Sequence, residues 1–275
     1  MDAHAGRITS SSPLEERGLF SIEQVNQLPP AEMEAVYRHL VPEEVLYRFG
    51  INQTLTDAAG RSLFECQPGV CSVELTLRHV WGADDPVLYL QLADTPSNQI
   101  EVVLFVVNDP YSERFDTDRL PDGTPTHFGT LARNIPEEIR AMEAGLAPGQ
   151  VRQGLGLTRR LMPILEQFVA GLHHTAFFIQ PLAYHNAIIF ERIGFAYAMG
   201  RGRMEWIHQE FGPSGILFRQ LDASTPFRQP EAAYSVRGRS WAIHDGIMGE
   251  PYSNVKMYKR VGIHAGVITF PNAAW

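Results

Sequence analysis

The chain has 275 residues, of which 44% are hydrophobic and 20% are charged, proportions that exclude a disordered or collagen-like protein. Its length predicts one large domain with extensions, or two domains. The net charge of −8 argues against nucleic-acid binding, because nucleic-acid-binding chains carry a basic surface. No apolar run approaches the roughly 20 residues of a membrane-spanning helix, and residues 1–18 lack the apolar core of a secretory signal. We therefore expect a cytoplasmic protein that contacts neither nucleic acid nor membrane.

The charge is unevenly distributed along the chain. Residues 150–203 contain six arginines and two glutamates, so this segment is cationic within an acidic protein. Such a segment favours an anionic ligand, although arginines scattered over the surface would explain the same composition. The ten histidines are dispersed, and no Cys/His spacing matches a zinc site. We therefore expect no metal.

The first third of the chain changes from a helical to a strand-like pattern. After a polar tail, residues 21–49 show apolar positions at three- and four-residue spacing, which predicts short helices. Four strand-like runs follow and are separated by turn-rich segments. Four consecutive strands with short connections predict an antiparallel meander. The fourth run, Ile100–Val107, is almost entirely apolar and is therefore expected in the centre of the sheet.

The fourth strand-like run is followed by an unusually long polar segment, residues 110–150, which contains one short predicted helix at Pro136–Ala144. An amphipathic helix is predicted at Leu157–Leu172, followed by a strand at 175–182 and a second helix at Tyr184–Ile193. The remaining strand-like runs, at 197–207, 232–244 and 260–270, alternate with glycine and proline turns.

This order of elements predicts an α+β fold, in which helices flank a mixed, mainly antiparallel sheet. We expect a tail and helical extension at 1–50, a core at 51–215 and a strand-rich extension at 216–275.

The segment before the predicted helix at Leu157–Leu172 favours an anion site. Gly154 and Gly156 leave backbone amides accessible at a helix N-terminus, where the amides have no internal partner and the helix dipole is positive. Arg152, Arg159 and Arg160 add full positive charge nearby. A phosphate or diphosphate ligand is the natural expectation.

Two phosphate-binding motifs fit this segment poorly. The Walker loop needs lysine and Ser/Thr where this chain has Leu155 and Gly156. A dinucleotide-binding fingerprint needs a third glycine at the position of Arg159.

The segment QGLGLT, Gln153–Thr158, resembles the Q/R-x-x-G-x-G/A signature of the GNAT N-acyltransferase superfamily, with Thr158 in place of the final Gly or Ala. A second segment, YHNAIIFERIGF at Tyr184–Phe195, is similar to that superfamily's next characteristic segment. The resemblance covers about 153–195 by motif and about 60–215 by the order of strands.

The resemblance implies acetyl-CoA or a longer acyl-CoA as co-substrate and a GNAT-like core. In the superfamily, the amides of the signature loop hold the diphosphate, and a splayed fourth strand, here Ile100–Val107, binds the pantetheine arm. The cofactor-binding positions that it implies are Arg152, Gln153, Gly154, Leu155, Gly156, Leu157, Thr158, Arg159, Asn186, Phe190 and Arg192. A structural alternative is that the glycines only permit a tight helix entry and that Asn186 only caps its helix.

The implied reaction is direct attack of an amine on the thioester, which needs a base, an oxyanion donor and an acid for the thiolate. The superfamily's usual tyrosine acid is replaced here by Phe190. We therefore consider Tyr184 and Tyr197 as acids, and Glu101 and His174 as bases. Each of the four has a structural alternative as a surface, capping or half-buried residue.

The acceptor is expected to be a small-molecule or peptide amine. The acidic residues within 110–150 would suit a cationic amine, although a solvated acidic loop explains them as well. The aromatic residues of the last sixty positions make a homodimer contact plausible. The alternative function is a catalytically degenerate GNAT-like module that binds CoA as a sensor, which the phenylalanine at position 190 favours.

Overall fold

The computed structural model describes Leu14 and residues 17–275. Its helices in this part of the chain are α1 (Ile22–Asn26), α2 (Pro30–Arg38), α3 (Glu43–Phe49), α4 (Ile135–Glu143), α5 (Thr158–Gly171), α6 (Tyr184–Arg192), α7 (Arg201–Glu210), α8 (Ile216–Arg219) and α9 (Val236–His244). The strands are β1 (Phe64–Pro68), β2 (Ser72–Leu77), β3 (Leu88–Asp94), β4 (Ile100–Val107), β5 (Ala176–Ile179), β6 (Ala196–Met199) and β7 (Lys256–Arg260). No helix in this part of the chain combines the length and the apolar character that a membrane crossing demands.

The strands form one seven-stranded sheet in the order β1-β2-β3-β4-β5-β7-β6. All neighbouring strands are antiparallel except β4 and β5, which are parallel. The predicted meander of β1 to β4 and the central position of β4 are confirmed. The predicted α+β layout with a mainly antiparallel sheet is confirmed at this level.

The two central strands separate after a short contact. Only Ile100–Val102 of β4 pairs with β5, through Phe177–Ile179, in the described structure. Just beyond this pairing, the register between β3 and β4 shifts, and Val103 becomes an extra, 41% exposed residue on β4. Such a bulge bends its strand and increases the local twist. The second half of β4 therefore diverges from β5 and leaves a gap in the middle of the sheet.

Helices α5 and α6 cover the sheet near this gap. The buried stripe of α5, which includes Leu161, Leu165, Phe168 and Val169, belongs to the main hydrophobic core together with the inward residues of the strands. The predicted helix boundaries for α4, α5 and α6 agree with the structure to within one residue at each end. Apolar spacing was sufficient for α5 because this helix buries one continuous stripe, whereas proline and glycine signals at the ends located α4 and α6.

The long insertion at 110–150 and the C-terminal segment form a second, smaller core between them. This core contains Phe115, Ala141 and Leu146 of the insertion and Phe227 and Trp241 of the C-terminal segment. The indole N–H of Trp241 donates to the carbonyl oxygen of Leu146 at 2.8 Å. Two segments separated by about a hundred residues thus stabilise one another next to the gap in the sheet.

The prediction that the C-terminal extension is rich in strands is wrong. Residues 216–255 contain α8, a short 3₁₀ helix at Pro230–Tyr234 and α9. The Ser235 side chain accepts a hydrogen bond from the backbone N–H of Gly238 and so begins α9 where an extended run was predicted. The predicted strand through 197–207 ends at Gly200, whose positive φ of 91° precedes α7.

The C-terminal segment nevertheless contributes one strand, and it lies inside the sheet. Strand β7 pairs with β5 on one side and with β6 on the other. Its alternating burial includes Met257 and Lys259, whose ammonium pairs with Glu166 at 3.1 Å. The run from 260 to 270, predicted as a strand, continues beyond β7 as irregular backbone because Gly262 and Gly266 adopt positive φ angles of 71° and 67°.

Candidate functional site

A cavity of about 360 Å³ lies where β4 and β5 diverge. Its walls are the second half of β4, the loop before α5, the end of β5 and the first two turns of α6. The insertion and the C-terminal segment complete the enclosure through Phe128, His244 and Trp275. Most of the lining is apolar, and the volume lies within the range of small-molecule sites.

The free edge of β4 faces this cavity. Strand residues alternate the direction of their backbone groups, so every second residue points its N–H and C=O away from β3. The backbone N–H of Asn108 donates to Val87, towards β3, whereas the carbonyl oxygen of Val107 accepts from the Leu155 amide at 3.2 Å. By the same alternation, Phe105 presents its N–H and C=O towards the gap, where β5 no longer pairs. An extended ligand can therefore hydrogen-bond to this edge.

The loop before α5 is held against the end of β4. Gly154 forms an isolated antiparallel bridge with Asn108, and a Cβ at Gly154 would lie 3.4 Å from the Val107 carbonyl oxygen. Gly156 has a φ of 70°, and a Cβ there would project into open space. A side chain at Gly154 would therefore lie in van der Waals contact with β4, whereas Gly156 permits the turn and leaves its surroundings open.

Four consecutive amides open α5 without an acceptor. No described residue accepts a hydrogen bond from the backbone N–H groups of Gly156, Leu157, Thr158 or Arg159, whereas the amides of Arg160 and Leu161 donate to the Leu157 carbonyl. The side chain at the N-cap position, Leu157, provides no capping oxygen. The helix that follows is 14 residues long, so its dipole adds to the positive potential at these amides.

The predicted cofactor-binding residues divide into those that line the cavity and those that do not. Six of them line the cavity: Gly154, Gly156, Leu157, Thr158, Asn186 and Phe190. The backbone of Leu155 anchors the loop to β4, and that of Gln153 bonds to Ser112 and Asp109. Arg152, Arg159 and Arg192 lie outside the cavity lining.

The three arginines have different surroundings. Arg152 donates to Asp85 at 2.8 Å and to the carbonyl oxygens of Pro110 and Ser112, so its guanidinium holds the insertion. Arg192 donates to the Ala273 carbonyl at 2.8 Å. Arg159 is exposed, and its side chain contacts no described hydrogen-bonding or charged partner. Arg159 and Arg192 line a separate open hollow together with Lys259.

The four predicted catalytic side chains also lie outside the cavity lining. Glu101 pairs with Lys256 at 3.2 Å, and the Nε2–H of His174 donates to the carbonyl oxygen of Phe20 at 2.8 Å. Burial raises the pKa of Tyr184 to about 12 against the opposing effect of Arg239. The hydroxyl of Tyr197 donates to Glu191 at 2.6 Å. Burial, and then the Glu191 charge, raise the pKa of Tyr197 above its usual range.

The structure instead brings three other titratable side chains to the cavity: Asp118, His185 and His244. Asp118 accepts from Arg114 at 2.8 Å. His185 is buried, and one ring nitrogen, Nδ1, lies 2.9 Å from the Ser240 hydroxyl. Burial, with a smaller effect of His244, lowers the pKa of His185 to about 3. No local sequence pattern identifies these residues, since they converge from the insertion, α6 and α9.

His244 is held by a buried carboxylate. Its Nε2 lies 3.1 Å from Oε1 of Glu138, whose side chain is 3% exposed. Arg133 bonds the other oxygen of Glu138 at 2.5 Å. Burial alone would raise the pKa of Glu138, but the hydrogen bonds from His244 and Arg133 outweigh it and lower that pKa below its usual value. Glu138 is therefore an anion at neutral pH.

The acidic residues of the insertion are mostly paired within the protein. Asp109 pairs with Arg48, Glu113 with Arg140, and both Asp116 and Asp118 with Arg114. These ion pairs tie the insertion down and reduce its negative potential, which weakens the expectation that charge alone attracts a cationic acceptor. Within the described residues, no group of three or more His, Cys, Asp or Glu side chains is arranged to hold a metal ion.

Comparison of the chain with models of known protein families, with curated proteins and with solved structures finds no match in any of the three. The chemistry of the site therefore follows from the contacts of its own residues.

Proposed function

We propose that this protein binds acetyl-CoA or a longer acyl-CoA and transfers the acyl group to an amine. The observation that carries this proposal is the set of unpaired amides that opens α5 beside the free edge of β4. A surface that can bind an anion thus lies next to a strand edge that can pair with an extended ligand. CoA has a diphosphate joined to a pantetheine arm with two amides, and both features match this pair of surfaces.

The diphosphate would bind to the amides of residues 156–159. These amides have no hydrogen-bond acceptor among the described residues, so none competes with the phosphate oxygens, and the helix dipole adds partial positive charge. Gly156 leaves open space for the phosphate oxygens because a Cβ there meets no atom within 4 Å. Arg159, which is exposed and unpaired among the described residues, supplies a full charge at the same turn.

The pantetheine arm would lie along the second half of β4 as an added strand. Phe105 offers one backbone N–H and one C=O to the two amides of the arm, as argued from the alternation along β4. Asn186 lines the opposite wall of the cavity and provides a side-chain amide. The strand order, the divergence of β4 and β5, and the bulge at Val103 all support this arrangement.

The reaction would proceed by direct attack of the amine nitrogen on the thioester carbonyl carbon. Backbone N–H groups of β4 that face the gap are suitable donors for the oxyanion. Phe190 lines the cavity and packs 6.0 Å from Phe105, between ring centroids, and its phenyl ring donates no proton. The CoA thiolate is stable enough to leave without an acid, so this reaction does not require a tyrosine at position 190.

The alternative is a GNAT-like CoA-binding module without acyl transfer, which Phe190 and the absence of Tyr184 and Tyr197 from the cavity lining favour. The two functions differ in one measurable product, the free thiol.

The experiment combines binding with turnover. Isothermal titration with CoA and acetyl-CoA, together with thermal unfolding at 100 times the dissociation constant, should show a stabilisation of about 2.7 kcal/mol. Acetyl-CoA is then incubated with a panel of amines, and free thiol is measured. Amine-dependent thiol release supports the transferase, and saturable binding without release favours the binding module. The lack of any binding at millimolar CoA would overturn both.

A further inference from the structure

The titratable side chains of the cavity differ in their partners. Among the described residues lining it, only Asp118, His185 and His244 carry titratable side chains. One Asp118 oxygen accepts from Arg114, and the other is buried without a partner. His185 is bonded through Nδ1 to the Ser240 hydroxyl, and its burial keeps it neutral above about pH 3. His244 differs from both because its ring nitrogen Nε2 is paired with a buried carboxylate, Glu138.

The partner of His244 fixes which ring nitrogen is free. Glu138 is ionised and therefore accepts the hydrogen bond from Nε2, so Nε2 carries the proton in the neutral imidazole. The other nitrogen, Nδ1, has no hydrogen-bond partner among the described residues. In this tautomer Nδ1 holds a lone pair, which is the acceptor that a general base needs.

A charge-balanced network holds the ring of His244 in place. Glu138 faces it from α4, and Arg133 bridges Glu138 to Asp245 at 2.5 and 3.0 Å. Arg228 pairs with the other oxygen of Asp245 at 2.8 Å, so the two cations and two carboxylates balance. His185, from α6, is neutral at neutral pH and adds no charge to this network. The imidazole is therefore held at the cavity wall with Glu138 as its direct partner.

We propose that His244, positioned by Glu138, is the base that removes the proton from the acceptor amine, an inference that rests on the proposed acyl transfer. The amine nitrogen forms a bond to the carbonyl carbon as one N–H proton passes to Nδ1. The C–S bond breaks, and its electron pair leaves with the CoA sulfur. The proton on His244 then passes to the thiolate or to water, which returns the imidazole to its neutral form.

The test compares His244→Gln with a matched control, His39→Gln. Glutamine can donate to Glu138 but takes up no proton. His39 is exposed, bonds only to the Ala35 carbonyl of its own helix and lies outside the cavity lining. The readouts are acetyl-CoA affinity and the kcat and KM for thiol release, with a panel that contains an alkylamine, an arylalkylamine, a diamine and a peptide α-amine. We expect His244→Gln to lower kcat/KM by roughly 10²–10⁴-fold with acetyl-CoA affinity unchanged, and His39→Gln to have no effect.

Glu138→Gln tests the positioning role. The imidazolium that forms as the amine loses its proton lacks the adjacent negative charge in this variant, so kcat should fall, though less than in His244→Gln, while the KM for the amine stays unchanged. A purely structural role of Glu138 would lower thermal stability without lowering kcat in the folded protein. Imidazole added to His244→Ala should restore part of the thiol release, which a packing role of His244 does not predict.

The outcomes separate this inference from the function on which it rests. Wild-type turnover that is unchanged within threefold in a folded His244→Gln overturns the base and leaves acyl transfer standing. Wild-type protein that binds acetyl-CoA but releases no thiol with any amine overturns acyl transfer itself, and the base with it. If His244→Gln does not fold, the test passes to His244→Ala, and a lack of any restoration of thiol release by added imidazole overturns the base.

Discussion

The amide of Leu155 donates to the carbonyl oxygen of Val107 at 3.2 Å, and this bond joins the loop before α5 to β4 beyond its last pair with β5. It positions the unpaired amides of α5 beside the free edge of β4. A ligand that contacts one of these surfaces is therefore held close to the other, which relates the fold directly to the proposed CoA site.

The first prediction concerns Gly156, which lines the cavity where a side chain would enter open space. Gly156→Trp should raise the dissociation constant for CoA at least a hundredfold, because the indole would occupy the volume next to the unpaired amides. Its φ of 70° also makes any other residue strained, by roughly 1–3 kcal/mol. Isothermal titration calorimetry measures the affinity, and thermal unfolding measures the strain.

Gly82→Trp is the matched control for this variant. Gly82 is exposed, has a φ of 79°, and has open space at its Cβ position, but it does not line the cavity. Both variants should lose similar stability, and only the Gly156 variant should lose CoA affinity. Equal affinity in the two variants would remove the diphosphate from this loop.

The parts of the fold that were predicted from sequence are those in which pattern and burial coincide. The boundaries of β4, α4, α5 and α6 agree closely with the structure. An apolar run marks β4, a buried stripe marks α5, and proline or glycine at the helix ends marks α4 and α6. The C-terminal segment was mispredicted because its strand-like composition is overridden by the Ser235 cap and by glycines at positive φ. Strand β7 has three basic residues in five, so its place inside the sheet depends on long-range pairing.

The sequence predicts the backbone of the candidate site, which is the glycine loop before α5. It does not predict the two side chains, His244 and Glu138, that meet at the cavity wall. Gly154 and Gly156 belong to a local motif, and short motifs are readable in sequence. His244 and Glu138 are 106 positions apart, and they meet only because the insertion and the C-terminal segment share the core around Trp241. Contacts of this kind follow from tertiary packing and leave no periodic signal in the sequence.

The second prediction separates two arginines that the sequence placed together at the cofactor. Arg159 is exposed and unpaired among the described residues, so Arg159→Ala should weaken CoA binding about tenfold, the loss of roughly one charge-assisted hydrogen bond, without changing the apoprotein's melting temperature. Arg152 holds Asp85 and two carbonyls of the insertion. Arg152→Ala should therefore cost about 1–3 kcal/mol of folding free energy.

Differential scanning fluorimetry and CoA titration at a temperature well below unfolding distinguish the two effects. At this chain length 1 kcal/mol corresponds to a shift in melting temperature of about 2–4 °C. The opposite pattern, in which Arg152→Ala loses affinity at full stability, would mean that its guanidinium leaves Asp85 to contact the ligand.

The third prediction concerns Phe190, which lines the cavity and packs against Phe105 and Phe195. Phe190→Tyr should leave the fold intact and should keep or raise thiol release, because a hydroxyl facing the thioester sulfur can protonate the leaving thiolate. Phe195→Tyr is the control, since Phe195 is fully buried and outside the cavity lining. Its added hydroxyl should cost about 1–3 kcal/mol if it is left without a partner. A large loss of turnover in Phe190→Tyr would show that position 190 serves packing.

The last prediction is a loss of stability in mild acid that depends on His185. Burial lowers the pKa of His185 from 6.5 to about 3 in the folded protein, so between these values the unfolded chain binds a proton that the folded protein does not. The free energy of unfolding should therefore be fully present above pH 6.5 and should fall as the pH drops towards 3, by about 1.4 kcal/mol per pH unit from this residue.

Urea unfolding at several pH values from 5 to 8 measures this slope. The carboxylates Glu138 and Asp85 also have lowered pKa values, but their effect falls below about pH 4, outside this range. His185→Asn should reduce the slope between pH 5 and 6.5 relative to the wild-type protein. An unchanged slope in His185→Asn would mean that His185 is accessible to protons in the folded protein, which would contradict its burial beside Ser240.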